Sequence, residues 1–208
     1  INIGLIEALR QMRPNCRRLE LAHRLDRDTS GCTVVVKNAK TLRYLHQQLR
    51  ERTMDKTYLC LVKGRWPRRR TLVDIGLDKN ILKSGERMVK ATTEGKPSKT
   101  RFAVVNALPG VTLIEAKPIT GRTHQIRVHM AHIKYPLVGD QLYAGRPRIP
   151  KGASNELIDT LRGLGRQALH ARRLALIHPD SGAEISWEVD LPEDMQQLLA
   201  VLKNEDPA

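Results

Sequence analysis

Thr100-Arg-Phe-Ala-Val-Val-Asn-Ala-Leu-Pro-Gly-Val-Thr-Leu-Ile-Glu-Ala-Lys117 carries two apolar, β-branched runs separated by Pro109-Gly110. Two such runs around a short Pro/Gly turn predict an antiparallel hairpin. The same pattern recurs in both directions. Residues 56–64 (KTYLCLVKG) predict a strand with Tyr58, Cys60 and Val62 on one side and Leu59 and Leu61 on the other. Short strands are predicted at 71–75 and 87–91, divided by turn signals such as Ser84-Gly85 and Gly95-Lys96-Pro97. Residues 169–178 and 183–189 predict a second hairpin around Pro179-Asp-Ser-Gly182, and 31–37 predict a buried strand.

Helices are fewer. Residues 39–52 place Leu42, Leu45 and Leu49 on one face and arginines on the other. Further helices are predicted at 3–12, 123–133, 156–164 and 192–203. Hairpins outnumber strand–helix–strand crossovers, and no repeat or linker interrupts the pattern. The expectation is an α+β fold: one domain over residues 1–208, with a mixed, largely antiparallel sheet, flanking helices and basic loops.

Charge narrows the function. Lys plus Arg number 36 against 22 Asp plus Glu, a formal net charge of +14. Residues 174–208 hold one basic residue and eight acids, so residues 1–173 carry 35 basic against 14 acidic residues. That imbalance points to a polyanionic partner, nucleic acid first. Aromatics make up only 3% of the chain, which argues against gripping single strands by stacking many bases. No run approaches the roughly 20 apolar residues of a membrane span, and residues 1–15 lack the apolar core of a secretory signal. Cys16, Cys32 and Cys60 are odd in number and show no CxxC spacing. Neither a zinc knuckle nor a disulfide framework is expected, and a reducing cytoplasm is the natural compartment.

Two segments could carry chemistry. In His23-Arg-Leu-Asp-Arg-Asp-Thr-Ser-Gly31, two carboxylates alternate with two guanidiniums just before a predicted strand. On a loop entering a sheet, this can present one carboxylate to a cleft while arginines approach nucleic acid. The same residues also suit a charged turn with Asp28 or Thr29 as a local cap. In Thr120-Gly-Arg-Thr-His-Gln-Ile-Arg-Val-His-Met-Ala-His132, helical spacing puts Thr123, Ile126 and Met130 on one face and Arg127 near His124 on an adjoining one. His124 and His129 are five apart with no acid between, unlike an HExxH pair, so no metal site is expected. Asp26-x-Asp28 alone is a weak divalent-ion signal.

Together, His23–Gly31 and Gly121-Arg-Thr-His-Gln-Ile-Arg-Val-His129 closely resemble the RNA pseudouridine synthases of the ribosomal large-subunit class, as do Tyr58 in KTYLCLV and Leu169-His170-Ala171. The likeness runs from about Leu5 to Leu202. Residues 19–31, 79–87 and 94–98 look like the C-type enzyme; Pro136-Leu-Val-Gly-Asp140, Gly145-Arg-Pro-Arg148 and Pro150-Lys-Gly-Ala-Ser154 look like the D type. The S4-like domain and the opening catalytic segment that such proteins carry upstream are not seen in the sequence.

The resemblance implies isomerisation of uridine to pseudouridine in large-subunit ribosomal RNA or an assembling large subunit, by a cytoplasmic, monomeric, membrane-free protein. The chemistry is redox-neutral, so no cofactor or metal is expected. By the family motif, Asp26 is the essential carboxylate, Arg127 the cation that keeps it ionised, and Tyr58 the group against the base that can accept the C5 proton. Leu169 is expected to pack under the uracil. Arg24 is expected to fill the gap left by the flipped nucleotide. On basic loops, Arg68, Arg69, Arg70, Arg146, Arg148 and Lys151 are candidate phosphate contacts. The rival readings are a catalytically idle RNA-binding or ribosome-assembly module, and a metal-dependent nuclease using Asp26, Asp28 and His129.

Overall fold

The computed structural model describes residues 4–16, 18–67, 69, 71–81, 87–145, 149 and 152–205. In chain order the elements are α1 (Leu5–Met12), β1 (Glu20–Leu21), β2 (Ser30–Gly31), β3 (Val35–Val36), α2 (Ala39–Glu51) and β4 (Asp55–Lys63). Then come β5 (Leu72–Asp74), β6 (Leu77–Ile81), β7 (Arg87–Ala91), β8 (Lys99–Leu108), β9 (Val111–Pro118) and α3 (Gln125–His132). The chain closes with α4 (Asn155–Gly163), β10 (Leu169–Ile177), β11 (Glu184–Glu188) and α5 (Glu193–Asn204).

β4 organises the core because it is apolar on both faces. Cys60 and Val62 enter a cluster with Ile114, Ile126 and Met130, while Leu61 enters another with Leu157, Leu198 and Leu202. This is the period-two alternation expected for 56–64. It puts α3 on one side of the sheet and α4 with α5 on the other. The strand order is β11-β10-β4-β9-β8-β5, with every neighbour antiparallel, and β2 adds a parallel pairing to β10. The fold is α+β with a mixed, mostly antiparallel sheet, as the hairpin pattern predicts.

α2 packs Leu45 against Leu174 and Leu176 of β10. Its start is fixed by the Asn38 side chain, which accepts from Thr41 N at 2.8 Å, and its end by Arg52 in a left-handed conformation. Buried Gln48 is fully used: its amide donates to Ile177 O at 2.8 Å and accepts from Ile177 N at 2.9 Å, joining helix to strand.

Several expectations shift. The strand predicted at 31–37 is split: Ser30–Gly31 joins β10, whereas Val35–Val36 pairs with β1. Gly31, at φ +108°, makes the break, and a Cβ there would collide with the Ala171 carbonyl, so only glycine lets this seam close. The helix predicted at 123–133 begins at Gln125 because His124 is left-handed at φ +52°. It is not amphipathic either; Gln125 through Met130 are all buried. Trp66, expected in a basic loop, is buried against Phe102 and Tyr135. β6 was hidden in the charged run Leu77-Asp-Lys-Asn-Ile81 and shows only through its pairing with β7. Among the described residues no helix is long and apolar enough to cross a membrane.

Candidate active site

The segment from Asp26 to Thr29 is a tight turn, closed by Thr29 N donating to Asp26 O at 3.0 Å with Asp28 left-handed at φ +67°. It is held from outside by the two residues that precede Ala168 and β10. Gln167 Nε2 donates to Arg27 O at 2.7 Å and Thr29 Oγ1 at 3.1 Å, and Arg166 Nη1 donates to Asp28 O at 3.1 Å. Arg166 is itself anchored by two 2.7 Å bonds to Asp194 at the start of α5. Below the turn, Ser30 Oγ meets His170 Nδ1 at 3.0 Å, and β2 lies along the beginning of β10. Asp28 therefore serves the turn with its backbone, while Asp26 is free to face the cleft.

Behind Asp26 stands Arg127. Its Nε and Nη2 donate to the two oxygens of Asp140 at 2.7 and 3.0 Å, leaving Nη1 at 3.7 Å from Asp26. The guanidinium also lies 5.1 Å from the centre of the Tyr143 ring. Asp140 is wholly buried but saturated: its Oδ1 also accepts from Leu142 N and Tyr143 N, each at 3.0 Å. Burial works against the Arg127 charge, and the Asp140 hydrogen bonds and charge, helped by Asp26, more than offset it and push its pKa up. The fork is thus spent on Asp140. Asp26 receives the field of a fixed cation without being locked in a bidentate pair.

Tyr58, on β4 between Ala171 and Ala116, packs against the cluster that contains Leu169. Burial first, and then the charge of Asp26, raise its pKa, so the group is a phenol at neutral pH. Arg24, Asp26, Tyr58 and Leu169 all line one cleft of about 750 Å³. Arg127 does not line it; it stands behind Asp26.

The remaining candidates divide. Arg69 is described but does not line this cleft, and Arg68, Arg70, Arg146, Arg148 and Lys151 lie outside the described residues. Beside Arg24, the cations that line the cleft are different ones: Arg50 and Arg52 at the end of α2, Lys56, Arg101, Lys117 and Arg122. Burial lowers the pKa of Lys56. Sequence reasoning also missed Asp140 and Tyr143. The Val138-Gly139-Asp140 turn was their one signal: Gly139 has φ +73°, and a Cβ there would collide with the Arg166 carbonyl.

The histidines are separated rather than gathered. His129 is buried beside Thr100 Oγ1 at 3.0 Å, and His124 Nδ1 meets Tyr143 Oη at 2.8 Å. Asp26, Asp28 and His129 do not form a ligand set, and no group of three His, Cys, Asp or Glu suited to a metal occurs among the described residues.

Burial lowers His129 from the usual 6.5 to about 4, and burial with the nearby Lys56 charge does the same to His23. Between pH 6.5 and about 4, each therefore takes up a proton on unfolding. Their contribution to stability is complete above pH 6.5 and declines as pH falls towards 4. We expect the urea midpoint to drop between pH 6.5 and 5. His129→Gln should flatten that slope by about one proton, or about 1.4 kcal/mol per pH unit. Identical slopes in the two proteins would contradict this burial-based account.

Residues 7–132 match a family model described as RNA pseudouridylate synthase. The chain is 45% identical over 204 residues to the ribosomal large subunit pseudouridine synthase C of Escherichia coli (strain K12), covering 98% of this chain and 62% of that protein. It is 45% identical over 207 residues to the protein of the same name from Yersinia pestis, with 98% and 62% covered. The chain thus spans somewhat under two thirds of these relatives' length. Among solved structures, human RNA Pseudouridylate Synthase Domain Containing 4 superimposes with a TM-score of 0.74 at 24% identity, covering 98% of this chain and 84% of that one. Human RNA Pseudouridylate Synthase Domain Containing 1 gives 0.67 at 24%, covering 98% and 87%. These two likenesses establish the fold.

Proposed function

The chain belongs to the RNA pseudouridylate synthase family, and from that premise we propose that it converts uridine to pseudouridine in large-subunit ribosomal RNA. The observation that carries this reading is Asp26: a cleft-facing carboxylate whose cation, Arg127, is held in place by Asp140. The reaction breaks the N1–C1′ bond, turns the uracil and joins C5 to C1′; the C5 proton leaves and N1 gains one. Atoms and electrons balance without an oxidant or a group donor. A glycosidase flanks its bond with two carboxylates because water must be admitted and activated. An isomerase that recaptures its own leaving base needs one, acting on the sugar as charge develops at C1′.

Tyr58 lies against the base in this proposal. Its raised pKa means that its oxygen can accept the C5 proton only while giving up its own. Leu169 supports the uracil from beneath, and Arg24 enters the stack in place of the flipped nucleotide, at a site where unstacking costs a few kcal/mol. In this reading the protein acts as a monomer in the cytoplasm, and the C-type relatives suggest the ribosomal substrate.

The test is tritium release from C5-labelled uridine in large-subunit ribosomal RNA, with and without EDTA. Release undiminished by the chelator is expected. Tight, salt-sensitive binding with no release would replace the enzyme by an idle RNA-binding module, and EDTA-sensitive strand cleavage would replace it by a nuclease.

A further inference from the structure

α2 has two faces of opposite character. Leu42, Leu45 and Leu49 turn inward, while Lys40, Arg43, Gln47 and Arg50 recur at i, i+3, i+7 and i+10 on the exposed side. At the rise of an α-helix this stripe is about 15 Å long. Lys40 lies 3.8 Å from Asp180, and Glu51 is engaged by Gln47 at 2.8 Å. Arg43, Arg50 and Arg52 have no carboxylate within ion-pair distance among the described residues. A shallow hollow of about 460 Å³ follows the stripe, and Arg50 lines both that hollow and the catalytic cleft. The basic stripe is therefore continuous with the site of chemistry.

A second observation comes from the strands that line the cleft. Arg101 and Lys117 are direct partners across β8 and β9, and both line the cleft. Like charges facing each other destabilise a strand pair. Lys117 has Glu115 at 3.6 Å, whereas Arg101 has no carboxylate partner among the described residues. An anion lying across the two cations would remove the repulsion.

We infer that the α2 stripe and the Arg101–Lys117 wall are the two ends of one phosphate track. It carries the RNA backbone into the cleft on one side of Asp26 and out on the other. This rests on the proposed RNA reading and adds the path of the strand and the chemistry that holds it. Contacts to phosphate fix the position and register of a strand but carry no sequence information, so the track confers affinity and register without sequence choice.

Two pairs of substitutions test it: Arg43→Ala with Arg50→Ala, and Arg43→Glu with Arg50→Glu, all compatible with a helix. The control is Arg162→Glu with Lys203→Glu, on α4 and α5 across the sheet, which removes the same charge as the glutamate pair. Salt dependence of binding to a large-subunit RNA fragment, KM and kcat are measured. The alanine pair should lower the log–log salt slope by about 1.4, at roughly 0.7 per phosphate contact. The glutamate pair should raise KM at least about tenfold, with kcat at saturation retained. Wild-type slope and KM in the α2 variants, a loss of kcat alone, or an equal effect in the control would each overturn the track. A wild type that binds RNA but releases no tritium would sink the isomerase reading, and the slope comparison would still decide the track.

Discussion

Asp26→Asn should abolish tritium release while leaving RNA binding and folding nearly intact. The replacement is close to isosteric, and Arg127 keeps both of its bonds to Asp140, so its charge stays compensated. The site holds two carboxylates around one guanidinium, and removing the surplus negative charge costs the fold little. Stability of the variant should equal or slightly exceed that of the wild type. The size of the catalytic loss also separates two roles. A general base contributes about 10²–10⁴-fold, so a residual rate within that range fits proton removal from the sugar. A deeper loss fits an attack on C1′, where an amide has no substitute chemistry. Single-turnover rates at saturating RNA give the answer. Wild-type release by Asp26→Asn would remove Asp26 from the mechanism.

Much of this was legible in the sequence, and the limits have physical causes. β4 was readable because its alternation has period two on both faces, and the predicted sides of Tyr58, Cys60 and Val62 against Leu61 are those observed. The 169–178 and 183–189 hairpin was readable from its Pro/Gly turn. α3 was expected over 123–133 and lies at Gln125–His132, but its start and its burial on every side were not readable, because such a helix has no stripe to detect and a left-handed His124 leaves no mark in composition. In the site, the motif residues Asp26, Tyr58 and Leu169 converge on one cleft. Arg24 apart, the cations of that cleft were illegible for another reason. Arg101 faces Lys117 only through strand register, and Arg50 reaches the cleft only through the packing of α2, neither of which is local in sequence. Asp140 lies 13 residues from Arg127, beyond a helix end and two turns, so its pairing is a tertiary fact.

That tertiary pair yields the second large effect. Asp140→Asn should destabilise the protein by about 3–5 kcal/mol, or roughly 6–20 °C in Tm, since breaking a buried ion pair strands a charge. The geometry sharpens the expectation. Oδ1 is fixed as an acceptor by Leu142 N, Tyr143 N and Arg127 Nη2, so the new amide nitrogen must take the place of Oδ2 and point its hydrogens at Arg127 Nε. A donor would face a donor in a site closed to water. Arg127 would then be left with Asp26 as its counter-charge. It should close the 3.7 Å gap and clamp the carboxylate that must stay free, so kcat falls in the surviving folded fraction while KM changes little. Removing both charges while keeping the Oδ1 acceptor should be gentler: Arg127→Met with Asp140→Asn leaves no stranded ion and still accepts from Leu142 N and Tyr143 N, so it should be more stable than Asp140→Asn alone although no more active. If Asp140→Asn melts within about 2 °C of the wild type, the pair is not what holds Arg127 in place, and the proposed division of labour between the two aspartates fails.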